Sequence, residues 1–347
     1  MSRRHAGIDW LKVICAQIIV WHHAATYAPP NLHLTQYWPQ LSALLLEPGR
    51  WVVHVFLVLG GYLSMQGLQK SSDASIFMLA WQRYRRLMPL FVTALAMTLF
   101  LGWWVRGHYA PEFVSPWPNW FELWAHLALT FDWWGVPAIS AGAWYVAIDF
   151  QLYVLLALAV LWFRRTGTPV LAHGLTLFLV LGVMLSTLIL SRQAALDAFA
   201  PYFLGSYGLG CLVAWIQRRP LERPLLWLVW AVLALDLSVD WRDRQALALA
   251  TAAFLWVWPA LPRLSKSPLW LGRANDLSYA LFVGHFSLLI GLGAWWSAHI
   301  SSGPKAALMY FLLASGLAWL WAWSLQTLLA GSSAWLSRHL DARPRWA

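Results

Sequence analysis

Charge is scarce in this 347-residue chain: 11% of its residues are Asp, Glu, Lys or Arg, against about a quarter in a soluble domain. That scarcity excludes a water-soluble enzyme with an ordinary polar surface. Acidic residues are the rarest, 14 against 24 Lys and Arg, which leaves a net charge of +10. The basic residues form no block or stripe, which argues against a nucleic acid as partner. Cysteine is nearly absent. Cys15 and Cys211 both lie in apolar runs, so neither a disulfide framework nor a metal site is expected. The alternating segments of about ten residues that mark a transmembrane barrel are also missing. So is any internal repeat of the kind that pairs the halves of many transporters.

What is present in abundance is apolar sequence, 60% of the chain, together with 28 tryptophans. Many of the tryptophans fall at segment ends, as an aromatic interfacial belt requires. A helix needs about 20 apolar residues to cross a bilayer. On that measure the chain reads as an all-α polytopic membrane protein with ten spans, near 8–28, 51–67, 87–105, 141–163, 170–190, 199–216, 225–239, 245–261, 276–298 and 305–330. Residues 41–46 could lengthen the second span, but Glu47, Pro48, Gly49 and Arg50 break it. The basic start, Met1 to His5, runs straight into the first span with no small-residue cleavage site, so that helix is expected to stay uncleaved.

The positive-inside rule sets the orientation. With both termini in the cytoplasm, the inner side collects most Lys and Arg, among them Arg3, Arg4, Lys70, Arg83, Arg85, Arg86, Arg164 and Arg165. The outer side holds only Arg50, Arg106, Arg192, Arg242, Arg244 and Lys305. Residues 1–335 therefore read as one transmembrane domain and 336–347 as a short basic cytoplasmic tail. The longest outer loop, about 106–140, carries Trp117, Trp120, Trp124, Trp133 and Trp134. Pro116 and Pro118 precede a short helix expected from Asn119, apolar on nearly every side and so placed in the interface or dipping into the protein.

Ionisable residues inside spans are costly and usually functional. Lys12 and His23 lie eleven residues apart, which puts them on nearly one helix face about 16 Å apart along the axis. A cation at the inner mouth suits an anionic ligand, and a neutral imidazole deeper in can take a proton from a hydroxyl. The alternatives at this point are a Lys12 that snorkels to headgroups and a His23 bonded to a neighbouring helix. His22 competes with His23 but points about 100° away. Asp149 lies at a depth comparable to His23 and needs a partner, for which a histidine of another helix is the natural candidate. The alternative is a neutral carboxyl against backbone or Gln151. Arg83 and Arg86, just before Pro89 at the start of the third span, can clamp phosphates or simply obey the charge rule. His285 is expected mid-span as a helix-to-helix hydrogen bonder. Glu122 and His126 have i,i+4 spacing, too little for a metal, and no metal is expected.

The order of these elements resembles the integral-membrane acyltransferase-3 family, bacterial O-acyltransferases of surface carbohydrates. Gly7-Ile8-Asp9-Trp10-Leu11-Lys12 followed by His23-Ala24 matches its opening. Phe56 to Tyr62 matches its Phe-Phe-x-x-Ser-Gly-Phe/Tyr element, with Gly60 at the serine. Arg83, Arg86 and Pro89 match its Arg-x-x-Arg. Trp144 to Tyr153 match its Trp-Ser-Leu-Ser-Val-Glu-x-x-Phe-Tyr, with Asp149 at the glutamate. Leu271-Gly272, Ser278-Tyr279 and Phe282 to His285 match its late elements. The resemblance implies transfer of a short acyl group, acetyl by default, from cytoplasmic acyl-CoA to a hydroxyl of an extracytoplasmic glycan or glycolipid, in the cell inner membrane. It implies His23 as general base oriented by Asp149, donor phosphates on Lys12, Arg83 and Arg86, and Trp144, Tyr153, Tyr279 and His285 as pocket candidates. A tunnel should join the inner mouth to His23. Membrane lipids and other polysaccharide-assembly proteins are the expected partners. A transporter or flippase of a lipid-linked saccharide, or an inactive accessory subunit of polysaccharide assembly, would use the same buried polar residues differently.

Overall fold

The computed structural model describes residues 6–27, 34–71, 74–106, 114–165, 173–260 and 268–341. Among them every regular element is helical. In chain order they are α1 (Ala6–Thr26), the single turn α2 (Leu34–Tyr37), α3 (Pro39–Leu68), α4 (Ile76–Val105) and α5 (Trp120–Leu127). There follow α6 (Ala143–Arg165), α7 (Gly174–Leu188), α8 (Ala200–Ile216), α9 (Arg223–Val239), α10 (Asp243–Val257), α11 (Leu269–His299) and α12 (Pro304–Asp341). The basic stretch 1–5, the loop with Arg263 and Lys266, and Arg343 with Arg345 lie outside the described residues. Helix α12 runs through the boundary expected at 335 and ends at Asp341.

Among the described residues a helix lies in each of the ten expected spans, and six are both long and apolar enough to cross a bilayer: α3, α4, α6, α7 with its following turn, α11 and α12. The other four differ for visible reasons. Helix α1 carries Asp9, Lys12, Gln17, His22 and His23, while α8, α9 and α10 are 17, 17 and 15 residues long, near the shortest length that spans about 30 Å of hydrocarbon. Polar clusters tie the ends of these shorter helices. At one end Arg192 bonds Asp236 and Asp240 at 2.7 Å each, and Arg242 meets Asp236 at 2.9 Å. At the other, buried Glu222 accepts from Thr176 and from Arg219. Helices α7 to α10 thus run antiparallel, with alternate connections meeting at opposite ends.

Two expected boundaries are corrected. Helix α3 does not break at Pro48 and Gly49 but continues from Pro39 to Leu68. Proline removes only one ladder bond, and Gly49 sits where a Cβ would lie 2.8 Å from the Cβ of His22, so α1 and α3 approach closely there. Helix α4 begins at Ile76, eleven residues before the expected start, with Ser75 accepting from the Met78 N–H as its cap. Arg83 and Arg86 are therefore inside a helix, more than one turn from its end.

The core is organised on glycine. At Gly61 an added Cβ would fall 1.9 Å from the Tyr207 carbonyl oxygen, and at Gly210 1.9 Å from that of Val58. Backbones of α3 and α8 can touch only because both side chains are hydrogen, the small-residue mode of helix association in membranes. Helix α11 is the most enclosed of the six long helices and packs against α1, α4 and α12.

The expected helix after Asn119 forms. Asn119 accepts from the Glu122 N–H while Glu122 accepts from the Asn119 N–H, a reciprocal cap. The Tyr84 hydroxyl donates to the Leu127 carbonyl at 2.9 Å, and Gln151 donates to that of Leu129 at 2.8 Å. Tyr84 lies 21 residues, about 30 Å at 1.5 Å per residue, from the Val105 end of α4. The segment therefore folds back down the side of α4 and α6. Trp120, Trp124, Trp133 and Trp134 stay exposed on it. His126 is committed to this fold: its Nδ1–H donates to the Glu122 carbonyl and its Nε2 accepts from the Ile139 N–H. Burial lowers its pKa, which keeps the imidazole in that neutral form.

Candidate active site

Helix α1 runs past two cavities. Near its Lys12 end lies one of about 370 Å³, walled by α3, α4, α6 and α11. Near its His23 end lies one of about 410 Å³.

The Lys12 cavity is the charged one. Lys12, Arg83 and Arg86 line it together with Asp149 and Asp276, three cations against two carboxylates. The Arg83 guanidinium donates to Asp149 Oδ2 at 2.5 Å and rests over the Tyr153 ring, 5.1 Å from its centroid. This corrects two expectations. Asp149 takes Arg83 and not an imidazole as its partner, because α6 packs beside α4 while His23 lies toward the far end of α1. Arg83, in turn, is already neutralised within the protein, which leaves Lys12 and Arg86 as the cations better able to meet an anion. Tyr153 supports Arg83 from below. Tyr279 does line the cavity, its hydroxyl donating to the Leu87 carbonyl at 3.0 Å.

The His23 cavity is lined by His22, His23, Tyr27, Arg50, Ser115 and Trp144, with apolar residues between them. His285, expected to bridge to another helix, bridges to His23: its Nε2 lies 2.6 Å from His23 Nδ1. The direction of the proton follows from the next contact. His285 Nδ1 is 2.8 Å from the Leu281 carbonyl, which can only accept. His285 Nδ1 must then carry hydrogen, so in the neutral ring Nε2 carries a lone pair and accepts from His23 Nδ1–H. The remaining nitrogen, His23 Nε2, is left with a lone pair on the residue that lines the cavity. His22 has no such second imidazole; its Nδ1–H donates to the Leu45 carbonyl at 3.0 Å.

The residues singled out in the sequence fall around two cavities, but their pairing differs from the one expected. The sequence reading gave no site role to Tyr145, Phe56 or Arg50, which line the cavities. Tyr145 lies one turn before Asp149 on α6, a spacing that put it on the same face. Arg50 reads in the sequence as part of a helix break and as an outer-side cation, and the structure sets it in the His23 cavity wall. Among the described residues the cavity of Lys12 and that of His23 stand as two separate spaces. They share one lining residue, Phe282.

Neither a curated protein nor a solved structure matches the chain significantly. The family model described as an acyltransferase domain matches residues 5–327. That match takes in both cavities and every residue named around them, and the chain belongs to the acyltransferase-3 family of membrane acyltransferases.

Proposed function

We propose that the protein moves an acyl group, acetyl by default, from cytoplasmic acyl-CoA to a hydroxyl of a glycan or glycolipid on the far side of the membrane. In this reading the ten helices all cross the inner membrane with both termini cytoplasmic, so Lys12 marks the donor side and His23 the acceptor side. Lys12 and Arg86 attract the donor's phosphates, and Arg83, held by Asp149 and Tyr153, lines the way inward. The acceptor enters the His23 cavity, where Trp144 and Tyr27 offer aromatic faces of the kind on which sugar rings stack.

The chemistry needs one proton acceptor. The acceptor hydroxyl oxygen attacks the thioester carbonyl carbon as His23 Nε2 takes the hydroxyl proton. The new C–O bond forms, the C–S bond breaks, and the imidazolium returns its proton to the departing thiolate. The products are an ester and free CoA. His285 holds the tautomer that this requires, the part a carboxylate or carbonyl plays behind many catalytic histidines. The observation that carries the reading is the Leu281–His285–His23 chain, which leaves a lone pair on Nε2 of a histidine that lines the cavity.

The test is release of CoA thiol from acetyl-CoA by purified protein. His23→Ala should lower turnover by roughly 10²–10⁴-fold, with protein yield and membrane insertion unchanged, while His22→Ala retains most of it. Transfer by His23→Ala at the wild-type rate would refute the assignment.

A further inference from the structure

The two cavities are separated by a small aromatic cluster with no assigned role. Phe282 of α11 reaches both cavities, and Phe56 and Tyr145 line the donor side. The three rings touch in a closed triangle: Tyr145 to Phe282 at 4.9 Å between centroids, Phe56 to Phe282 at 5.6 Å, and Phe56 to Tyr145 at 6.1 Å, each near edge-to-face. At such separations the rings are in van der Waals contact, and they meet where the two cavities adjoin at Phe282. Gly142 packs closely against Phe282. A Cβ on Gly142 would stand 3.1 Å from the Phe282 carbonyl oxygen and 3.4 Å from its ring. Two of the rings also sit about one turn from a residue that matters on one side of the cluster. Tyr145 precedes Asp149 by four residues, and Phe282 precedes His285 by three.

We propose that Phe56, Tyr145 and Phe282 form a displaceable seal between donor and acceptor cavities, and that it selects the acyl group by bulk. The selection part rests on the reading of the protein as an acyl-CoA-dependent transferase. Swinging one ring aside frees a slot about as wide as that ring is thick, about 3.5–4.0 Å. A single file of methylenes with its thioester fits such a slot; a chain branched next to the carbonyl does not. Straight short acyl groups therefore reach His23, and branched ones stop below Phe282.

The experiment compares CoA release from acetyl-CoA and from isobutyryl-CoA in proteoliposomes, for the wild type and for Phe282→Ala. A trapped pH dye follows proton leak in the same vesicles. The wild type should favour acetyl and hold the proton gradient. Phe282→Ala should raise the isobutyryl-to-acetyl ratio roughly ten-fold or more, the range that a change of a methylene or so in a pocket commands, and should leak. If Phe282→Ala does not fold, Phe56→Leu and Tyr145→Leu should move both readouts in the same direction. An unchanged ratio and an unchanged leak in the folded variants would overturn the seal. A wild type that releases no CoA from either donor would refute the transferase reading instead, and the leak alone would then decide the seal.

Discussion

Asp149 places a carboxylate inside a span, and the residue opposite it decides what that costs. Arg83 supplies both the charge and the hydrogen bond, and both side chains are largely buried. Removing one partner of a buried pair leaves the other uncompensated, at about 3–5 kcal/mol. Asp149→Leu should accordingly lower the melting temperature and the yield, and Arg83→Met should do the same. The double variant Arg83→Met/Asp149→Leu should regain much of that stability, since a well-packed apolar pair replaces an ion pair at little cost. Its CoA release should stay low if the pair also guides the donor. Full recovery of turnover along with stability would show the pair to be structural only. The sequence displayed each charge in its span, together with the departures Gly60 and Asp149 from the family pattern. It did not show that these two departures touch, a Cβ at Gly60 falling 3.0 Å from Asp149 Oδ1. Partner choice is a matter of helix packing, and neither spacing nor depth along one helix reveals it. The same holds for His23: its position on the Lys12 face was legible, whereas its bond to His285, 262 residues away, was not.

Helices were legible because a bilayer demands long apolar runs, and each expected span is covered by one. Their ends were less so. Proline and glycine in Glu47-Pro48-Gly49-Arg50 read locally as a break, yet packing against His22 carries α3 through them. The glycines also yield an element-level prediction. Gly61→Ala or Gly210→Ala drives a methyl into a carbonyl oxygen across the α3–α8 contact, where backbone cannot yield as a side chain can. Overpacking typically costs about 1–3 kcal/mol and sometimes more, and here the loss should reach the upper end or beyond. Gly67→Ala, with open space around it, serves as the control and should leave the melting temperature unaltered. Equal stability of all three variants would contradict the close crossing. In the folded-back segment, partial burial beside Asp197 pushes the Asp132 carboxyl up to about 6. The folded protein then binds this proton more tightly than the unfolded chain does, so stability should fall as pH rises from about 4 to about 6 and level off above. Asp132→Asn should flatten that slope and make the protein more heat-stable at neutral pH. An unchanged slope in a pH series of melting curves would remove Asp132 as its source.

At the scale of the molecule, two cavities lie toward opposite ends of one helix, one cationic and one beside an imidazole chain, and the proposed wall of Phe56, Tyr145 and Phe282 stands where they adjoin. The sequence indicated the poles of this layout through Lys12 and His23. It could not indicate the wall, because Phe56, Tyr145 and Phe282 look like ordinary core aromatics until their rings are seen to meet. The most direct measurement uses a CoA thioether carrying an unbranched photoreactive diazomethyl ketone in place of the acyl group, irradiated with the protein and mapped by mass spectrometry. Adducts on the His23 side, at Ile19, Val53 or Phe286, are the predicted result. Adducts confined to the cavity of Lys12 and Arg86 would contradict it.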